Sequence, residues 1–172
     1  GAAAHVRVFD NLGKETIFPG GFFPFGQDFR GGVNLAVADL DGDGKDEVIT
    51  AAGPTGGPHV KIWRGDGVLL GDFFAFDNNE SVGLNVAAGD LDGDGKAEIA
   101  AALAYQSQAY VRVFSGTQGE KTGEFLAINS GFAGGLNLAA SDLDGDGKAE
   151  IAVAPNGGGG PHVHVYSGTG KL

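Results

Sequence analysis

No cysteine occurs anywhere in the 172 residues, so no disulfide framework supports the fold. A small secreted chain in that position often uses metals instead. Also missing is any apolar run of about 18 residues, the length that would span a membrane. No segment carries a convincing helical stripe. There is no basic stripe either, which argues against a nucleic-acid partner. No signal peptide is visible. The chain opens at Gly1 without Met, and removal of an N-terminal segment is the expectation.

Glycine, by contrast, fills 33 of 172 positions, more than twice the usual ~7%. These glycines show no three-residue period, which excludes collagen. They cluster between short apolar runs, as tight turns do. The net charge of −11 suggests a polyanion, yet twelve of the 22 acids fall at the repeated loop positions described next. The remaining ten acids nearly balance the 11 Lys and Arg, so the acidity belongs to local sites.

The segment Asp39-Leu40-Asp41-Gly42-Asp43-Gly44-Lys45-Asp46-Glu47 recurs from Asp90 to Glu98 and from Asp142 to Glu150, at offsets of 51 and 52 residues. Gly32-Val33-Asn34-Leu35-Ala36 matches segments starting at Gly83 and Gly135, and Phe22-Phe23-Pro24-Phe25 matches Phe73 to Phe76 and Phe125 to Ile128. His5-Val6-Arg7-Val8-Phe9 returns at His59, Tyr110 and His162, giving four copies of that strand against three of the loop. Each unit reads as four short strands, typified by Val33–Ala38, Glu47–Ala52, His59–Trp63 and Leu69–Phe76. Short strands, glycine turns and a period near 50 residues fit four-stranded propeller blades, with a solenoid of hairpins as the other architecture.

The loop pattern is D-x-D-x-D-G-x-x-E. Asp39, Asp41 and Asp43 alternate along a tightly curved chain and turn three carboxylates toward one centre. Gly44 permits the sharp turn, Lys45 offers its backbone carbonyl, and Glu47 closes the site with both oxygens. The same set recurs as Asp90, Asp92, Asp94, Lys96 and Glu98, and as Asp142, Asp144, Asp146, Lys148 and Glu150. Six oxygen ligands suit Ca²⁺, a hard ion taking 6–8. Mg²⁺ prefers stricter octahedral geometry, and zinc lacks Cys or His nearby. An EF-hand needs its acid at loop position 12, where Thr50, Ala101 and Val153 stand here. Three calcium ions are the expectation.

These residues resemble the FG-GAP or VCBS repeats of integrin-like β-propellers. Ala52-Gly53-Pro54 stands where the family's GAP falls, Ala154-Pro155 keeps part of it, and Ala102-Leu103-Ala104 departs from it. The resemblance implies an all-β fold of about three propeller blades, each of four antiparallel strands with a calcium loop between strands 1 and 2. The expected division of residues 1–172 is a partial blade 1–30, blades 31–82 and 83–134, and a partial blade 135–172. Three loops fall short of the usual 4–8 blades, so a piece of a larger propeller or a self-completing oligomer is expected.

The resemblance further implies an extracellular or cell-surface module for adhesion or ligand binding, with a protein or glycan partner at the opposite face. The other functional readings are a structural or self-assembling repeat unit, and an accessory domain of a secreted polysaccharide- or lipid-active enzyme. Catalysis itself is not expected, since no phosphate loop or nucleophile elbow is present. Tyr110 in the slot of His5, His59 and His162 argues for strand-surface residues over metal ligands. Only His164, two residues past His162, makes a pair that would take a stray transition metal. Asn34, Asn85 and Asn137 are expected to bond neighbouring blades, and Trp63 to pack between them. Tyr105, in a variable loop, is the more open position for stacking on a sugar ring.

Overall fold

The computed structural model describes residues 2–172, the side chains of 16–19 excepted; the first residue of the expected partial blade, Gly1, lies outside the described residues. Thirteen strands and no helix occur among the described residues. β1 (Val6–Phe9) pairs with β2 (Glu15–Phe22). β3 (Val33–Ala38), β4 (Glu47–Ala52), β5 (His59–Trp63) and β6 (Leu69–Phe74) form an antiparallel meander. β7 (Leu84–Gly89), β8 (Glu98–Leu103), β9 (Tyr110–Ser115) and β10 (Glu120–Leu126) form a second. β11 (Leu136–Ser141), β12 (Glu150–Pro155) and β13 (His164–Tyr166) make a three-stranded sheet. The all-β class and the four-stranded antiparallel unit thus match the sequence reading, while the sheets do not close into a barrel.

Two strand ends differ from expectation. β6 stops at Phe74 because the Ala75 amide turns to the Pro58 carbonyl (2.8 Å) and an Asp77 turn follows, its carboxylate accepting from the Asn79 amide. β13 begins at His164, since Pro161 has no N–H to donate and the His162 amide folds back on the Gly160 carbonyl (2.9 Å).

The strands pair in the same register in every unit. Ala38 faces Glu47, Gly89 faces Glu98 and Ser141 faces Glu150. Each acid therefore opens the second strand directly across from the residue that precedes its loop. β4 and β8 are buried along their whole length, sandwiched between sheets, which is why they read as Val, Ile, Ala and Leu runs. Thr50, a buried polar residue within β4, is satisfied by donating to the Lys61 carbonyl (3.0 Å) and accepting from Trp63 Nε1 (3.1 Å).

Two apolar clusters separate the sheets. One joins Leu40, Ile49 and Ile62 to Leu84 and Ile99, and the other joins Leu91 and Val111 to Leu136 and Ile151. One aromatic pair recurs between sheets: Trp63 on Phe22, Phe114 on Phe73, and Tyr166 on Phe125, with centroids 5.0–5.1 Å apart. Along the inner strands Asn34 donates to the Leu84 carbonyl and to Asn85 Oδ1, both at 2.8 Å. Asn85 repeats this toward Leu136 (2.6 Å) and Asn137 (3.3 Å). The expected inter-sheet role of these asparagines is what the geometry shows.

Candidate metal centres

Each Asp loop leaves the end of an inner strand and returns into a buried one. Within the first, Asp39 accepts the Gly42 amide on Oδ1 (2.7 Å) and the Gly44 amide on Oδ2 (2.8 Å). Asp41 accepts from Asp43 (3.1 Å), and Asp43 from Lys45 (2.8 Å). The bond to Gly44 needs its φ of 83°, a conformation that costs an L-residue about 1–2 kcal/mol. The other two loops repeat the same bonds, Asp90 to Gly93 and Gly95, and Asp142 to Gly145 and Gly147. In every loop the three Asp present one carboxylate oxygen apiece within 4.8 Å of the others. Among the described residues these three triads are the groups of acids or histidines placed to hold a metal ion.

The closing acids lie just beneath. Glu47 is 1% exposed and Glu98 5%, while Glu150 is half-buried. Their Oε2 atoms accept the amides of Leu40, Leu91 and Leu143 at 2.9–3.0 Å. Each Glu is thus held by the backbone at the mouth of its loop.

Burial pushes the Glu47 carboxyl above the usual range; the Leu40 amide opposes this, and the charges of Asp41, Asp39 and Asp43 reinforce it. Glu98 is raised in the same way, by burial first and then by Asp92, Asp94 and Asp90, against the Leu91 amide. Burial also works against ionised Asp39, but the amides of Gly44, Gly42, Asp43 and Asp41 outweigh it and hold that carboxyl below its usual value. Among the described residues, only Lys45 forms an ion pair with a loop acid, to Asp43 at 3.4 Å. Clustered carboxylates over a buried acid whose charge the fold disfavours are the donor set of a hard cation, and the residues fit Ca²⁺.

The lysine side chains differ between the loops. Lys45 extends into solvent, but the Lys96 stem lies over Gly42, with carbons 3.3 Å from where a Cβ would stand. Lys148 lies likewise over Gly93 at 3.0 Å. Beside them the Ala97 amide donates to the Asp39 carbonyl (2.8 Å), and the Ala149 amide to that of Asp90 (2.6 Å). The first two loops are therefore each clasped by the next repeat. Leu at loop position 2 is a further part that ligand-pattern reasoning passed over. Leu40 and Leu91 are 1% and 6% exposed and plug the inter-sheet core, whereas Leu143 is 61% exposed. The signal was present, since an apolar residue recurs in all three copies of a polar loop.

His59 and His164 lie on strands, whereas His5 and His162 stand just outside β1 and β13. His5 stacks on Phe23 (4.4 Å) and His59 on Phe74 (4.6 Å), with Asp72 against the His59 ring. His162 and His164 sit ring to ring at 4.9 Å and, among the described residues, belong to no group of three or more metal-binding side chains.

The sequence matches the family model of the FG-GAP-like repeat twice, over residues 39–101 and 90–153, each match running from one Asp loop into the next. The chain belongs to the FG-GAP-like repeat family. No curated protein matches it. Among solved structures, Bacillus licheniformis rhamnogalacturonan lyase PL11 is similar at 17% identity and TM-score 0.44, over 80% of this chain and 46% of that one. The exotype rhamnogalacturonan lyase YesX gives 18% and 0.46, over 91% and 44%. Rhamnogalacturonan lyase YesW gives 18% and 0.45, over 92% and 46%. The chain thus spans under half the length of each. Among the described residues no helix is long and apolar enough to cross a membrane.

Proposed function

We propose that this chain is a calcium-stabilised β-propeller module of an extracellular or cell-surface protein, used in adhesion or in binding a protein or glycan ligand. Residues 31–82 and 83–134 serve as full blades, with 1–30 and 135–172 as partial ones completed by neighbouring blades of a longer chain or by a second copy. The observation that carries the reading is the threefold Asp triad above a Glu, each loop tied to its neighbour where a neighbour exists. A cation in such a loop neutralises charge and fixes the joint between sheets. One ion per loop takes the three Asp, both oxygens of the Glu, the Lys carbonyl and water, within the 6–8 oxygens that calcium accepts.

The role of calcium here is structural, and the module is not catalytic. The loops occupy the β3–β4, β7–β8 and β11–β12 turns. In an antiparallel meander the next turns, after β4, β8 and β12, lie at the opposite end and remain open to a ligand. Extracellular calcium at millimolar levels is what weak, solvent-facing sites require.

Titration calorimetry with Ca²⁺ and Mg²⁺, paired with thermal melts, tests the reading. Three calcium ions are expected. With free calcium tenfold above Kd, each site adds about 1.4 kcal/mol, or roughly 4 kcal/mol for the set. Identical melting midpoints in chelator and in millimolar calcium would refute the structural role.

A further inference from the structure

In an array of near-copies, positions that hold the fold repeat. A turn that departs from its copies calls for another explanation, and one such turn borders a cavity of about 370 Å³ at the end of the sheets opposite the Asp loops. Its rim is the β8–β9 turn. The matching turns, Gly53 to Pro58 and Pro155 to Pro161, are built of Gly and Pro with one other residue each, Thr55 and Asn156, but here the chain reads Tyr105-Gln106-Ser107-Gln108-Ala109. The strand that follows departs as well. His59 stands across from Phe74 and stacks on it, whereas Tyr110 stands across from Leu126 and so lacks that ring partner.

The turn keeps the left-handed backbone of its copies, with φ of 48° at Gln106, 77° at Thr55 and 70° at Gly158, so that conformation belongs to the fold and one other feature sets the turn apart. The Ser107 hydroxyl is buried without any hydrogen-bond partner, a state that ordinarily costs about 1–3 kcal/mol. Beneath the turn Arg112 is fixed rather than free. It pairs with Glu124, donates to the Ala75 carbonyl (3.0 Å) and lies over the Phe76 ring at 4.3 Å. Glu80 completes the wall. The cavity thus combines an unstacked aromatic ring, two carboxamides, an unpaired hydroxyl and two carboxylates offset by one guanidinium. Apolar surface beside clustered donors and acceptors matches a pyranose ring, which has a C–H face and vicinal hydroxyls. The net charge of the lining is negative, which disfavours a uronic acid. The volume sits near the low end of the ~300–1,000 Å³ range of ligand pockets, enough for one or two sugar rings.

We propose that this cavity binds a neutral mono- or disaccharide unit, with Gln106, Ser107 and Gln108 reading hydroxyls and Tyr110 covering the apolar face. The proposal rests on the reading of the chain as a ligand-binding module and names its site. The test is amide NMR titration of the calcium-loaded chain with glucose, galactose, mannose, cellobiose and maltose, and with digalacturonate as the acidic counterpart. Saturable shifts at Gln106, Ser107 and Tyr110 are expected below roughly 10 mM for at least one neutral sugar. Ser107→Ala and Tyr110→Ala should each weaken binding about tenfold or more. Ser107→Ala should leave the melting midpoint unchanged or higher, because the hydroxyl bonds nothing. Absence of saturable shifts, preference for digalacturonate, or shifts indifferent to both variants would overturn the assignment. A glycan array separates the two levels. Binding retained by the double variant overturns this cavity and keeps the module reading, whereas no glycan binding by either form removes the glycan ligand altogether.

Discussion

Glu98→Gln should change the sign of its effect on stability with calcium. The acid is 5% exposed, accepts the Leu91 amide at 2.9 Å, and is disfavoured in its charged form by burial and by three nearby Asp. Gln keeps the acceptor oxygen and removes the charge, and its N–H groups face carboxylates able to accept them. In chelator the variant should therefore gain on the order of 1 kcal/mol, the net worth of an ordinary hydrogen bond. In calcium the same change removes an anionic ligand. If affinity falls tenfold from a site held at 100 times Kd, its contribution drops from about 2.7 to about 1.4 kcal/mol. At roughly 2–4 °C per kcal/mol for a chain of this size, the midpoint should rise about 2–4 °C in chelator; in calcium the gain offsets most of the loss, and the midpoint should fall about 1 °C relative to the parent. Paired calorimetric melts read both. Shifts of the same sign in the two buffers would refute the idea that this acid is buried to serve a cation.

In the calcium-free chain, the Glu47 and Glu98 carboxyls, raised by burial, should add stability as pH falls from 7 toward the usual glutamate range. The Asp39 contribution, lowered by its amides, is lost only below the usual aspartate range; melts in chelator that fall steadily from pH 7 to 5 would contradict this. Gly93→Ala and Gly145→Ala share a φ near +83° and about 1–2 kcal/mol of backbone strain, but only the first meets a lysine, Lys148. Denaturant melts should show Gly93→Ala as the costlier, with the excess gone in a Lys148→Ala background, and equal costs would exclude the clasp. Asp92→Ala should reduce the calorimetric count from three tight calcium ions to two, and loss at all three sites would contradict local binding. Light scattering in calcium should show self-association of the chain, which a compact monomer resistant to dilution would refute.

The strands and loops were legible because each is fixed by local pattern. Period-two alternation marks His59 to Trp63, and three copies of D-x-D-x-D-G-x-x-E leave little room for accident. Strand ends were less so. Phe76 and His162 carry strand-like side chains, but backbone bonds to Pro58 and Gly160 decide where pairing stops. The clasp was out of reach for another reason. That Lys96 covers Gly42 depends on how two sheets stack, and nothing within either loop encodes it. The inner asparagines were read correctly in role, yet Asn156, which donates to the Ala104 carbonyl (2.7 Å), lies outside the repeating position and extends the row unannounced. The sugar-sized cavity was visible only in part, as a variable turn containing Tyr105. Tyr105 itself lies outside its lining, and the neighbours Gln106 to Gln108 form its rim.

The two end faces repeat the internal joints with one side missing. Inside the chain a lysine stem covers the preceding loop's glycine and an alanine amide reaches its first Asp carbonyl, twice over. At one end Gly145 has open space above it, and Leu143 and Val163 are exposed. At the other end Lys45 extends into solvent beside an apolar groove of about 770 Å³ between β1 and β3–β4, lined by Val6, Val8, Phe9, Leu35 and Val37. β1 and β2 correspond to the third and fourth strands of a unit, so this groove lies where an inner hairpin with its own Asp loop would sit. The surface that accepts such a hairpin and the surface that presents one are the two halves of a joint the chain already makes internally. A second copy docked in that register would lay Lys45 over Gly145. It would also give two chains six loops, within the 4–8 blades of a propeller. β13 and β1 then compete for one place. β13 spans three residues and holds β12 through three register pairs, which makes it the strand most easily exchanged.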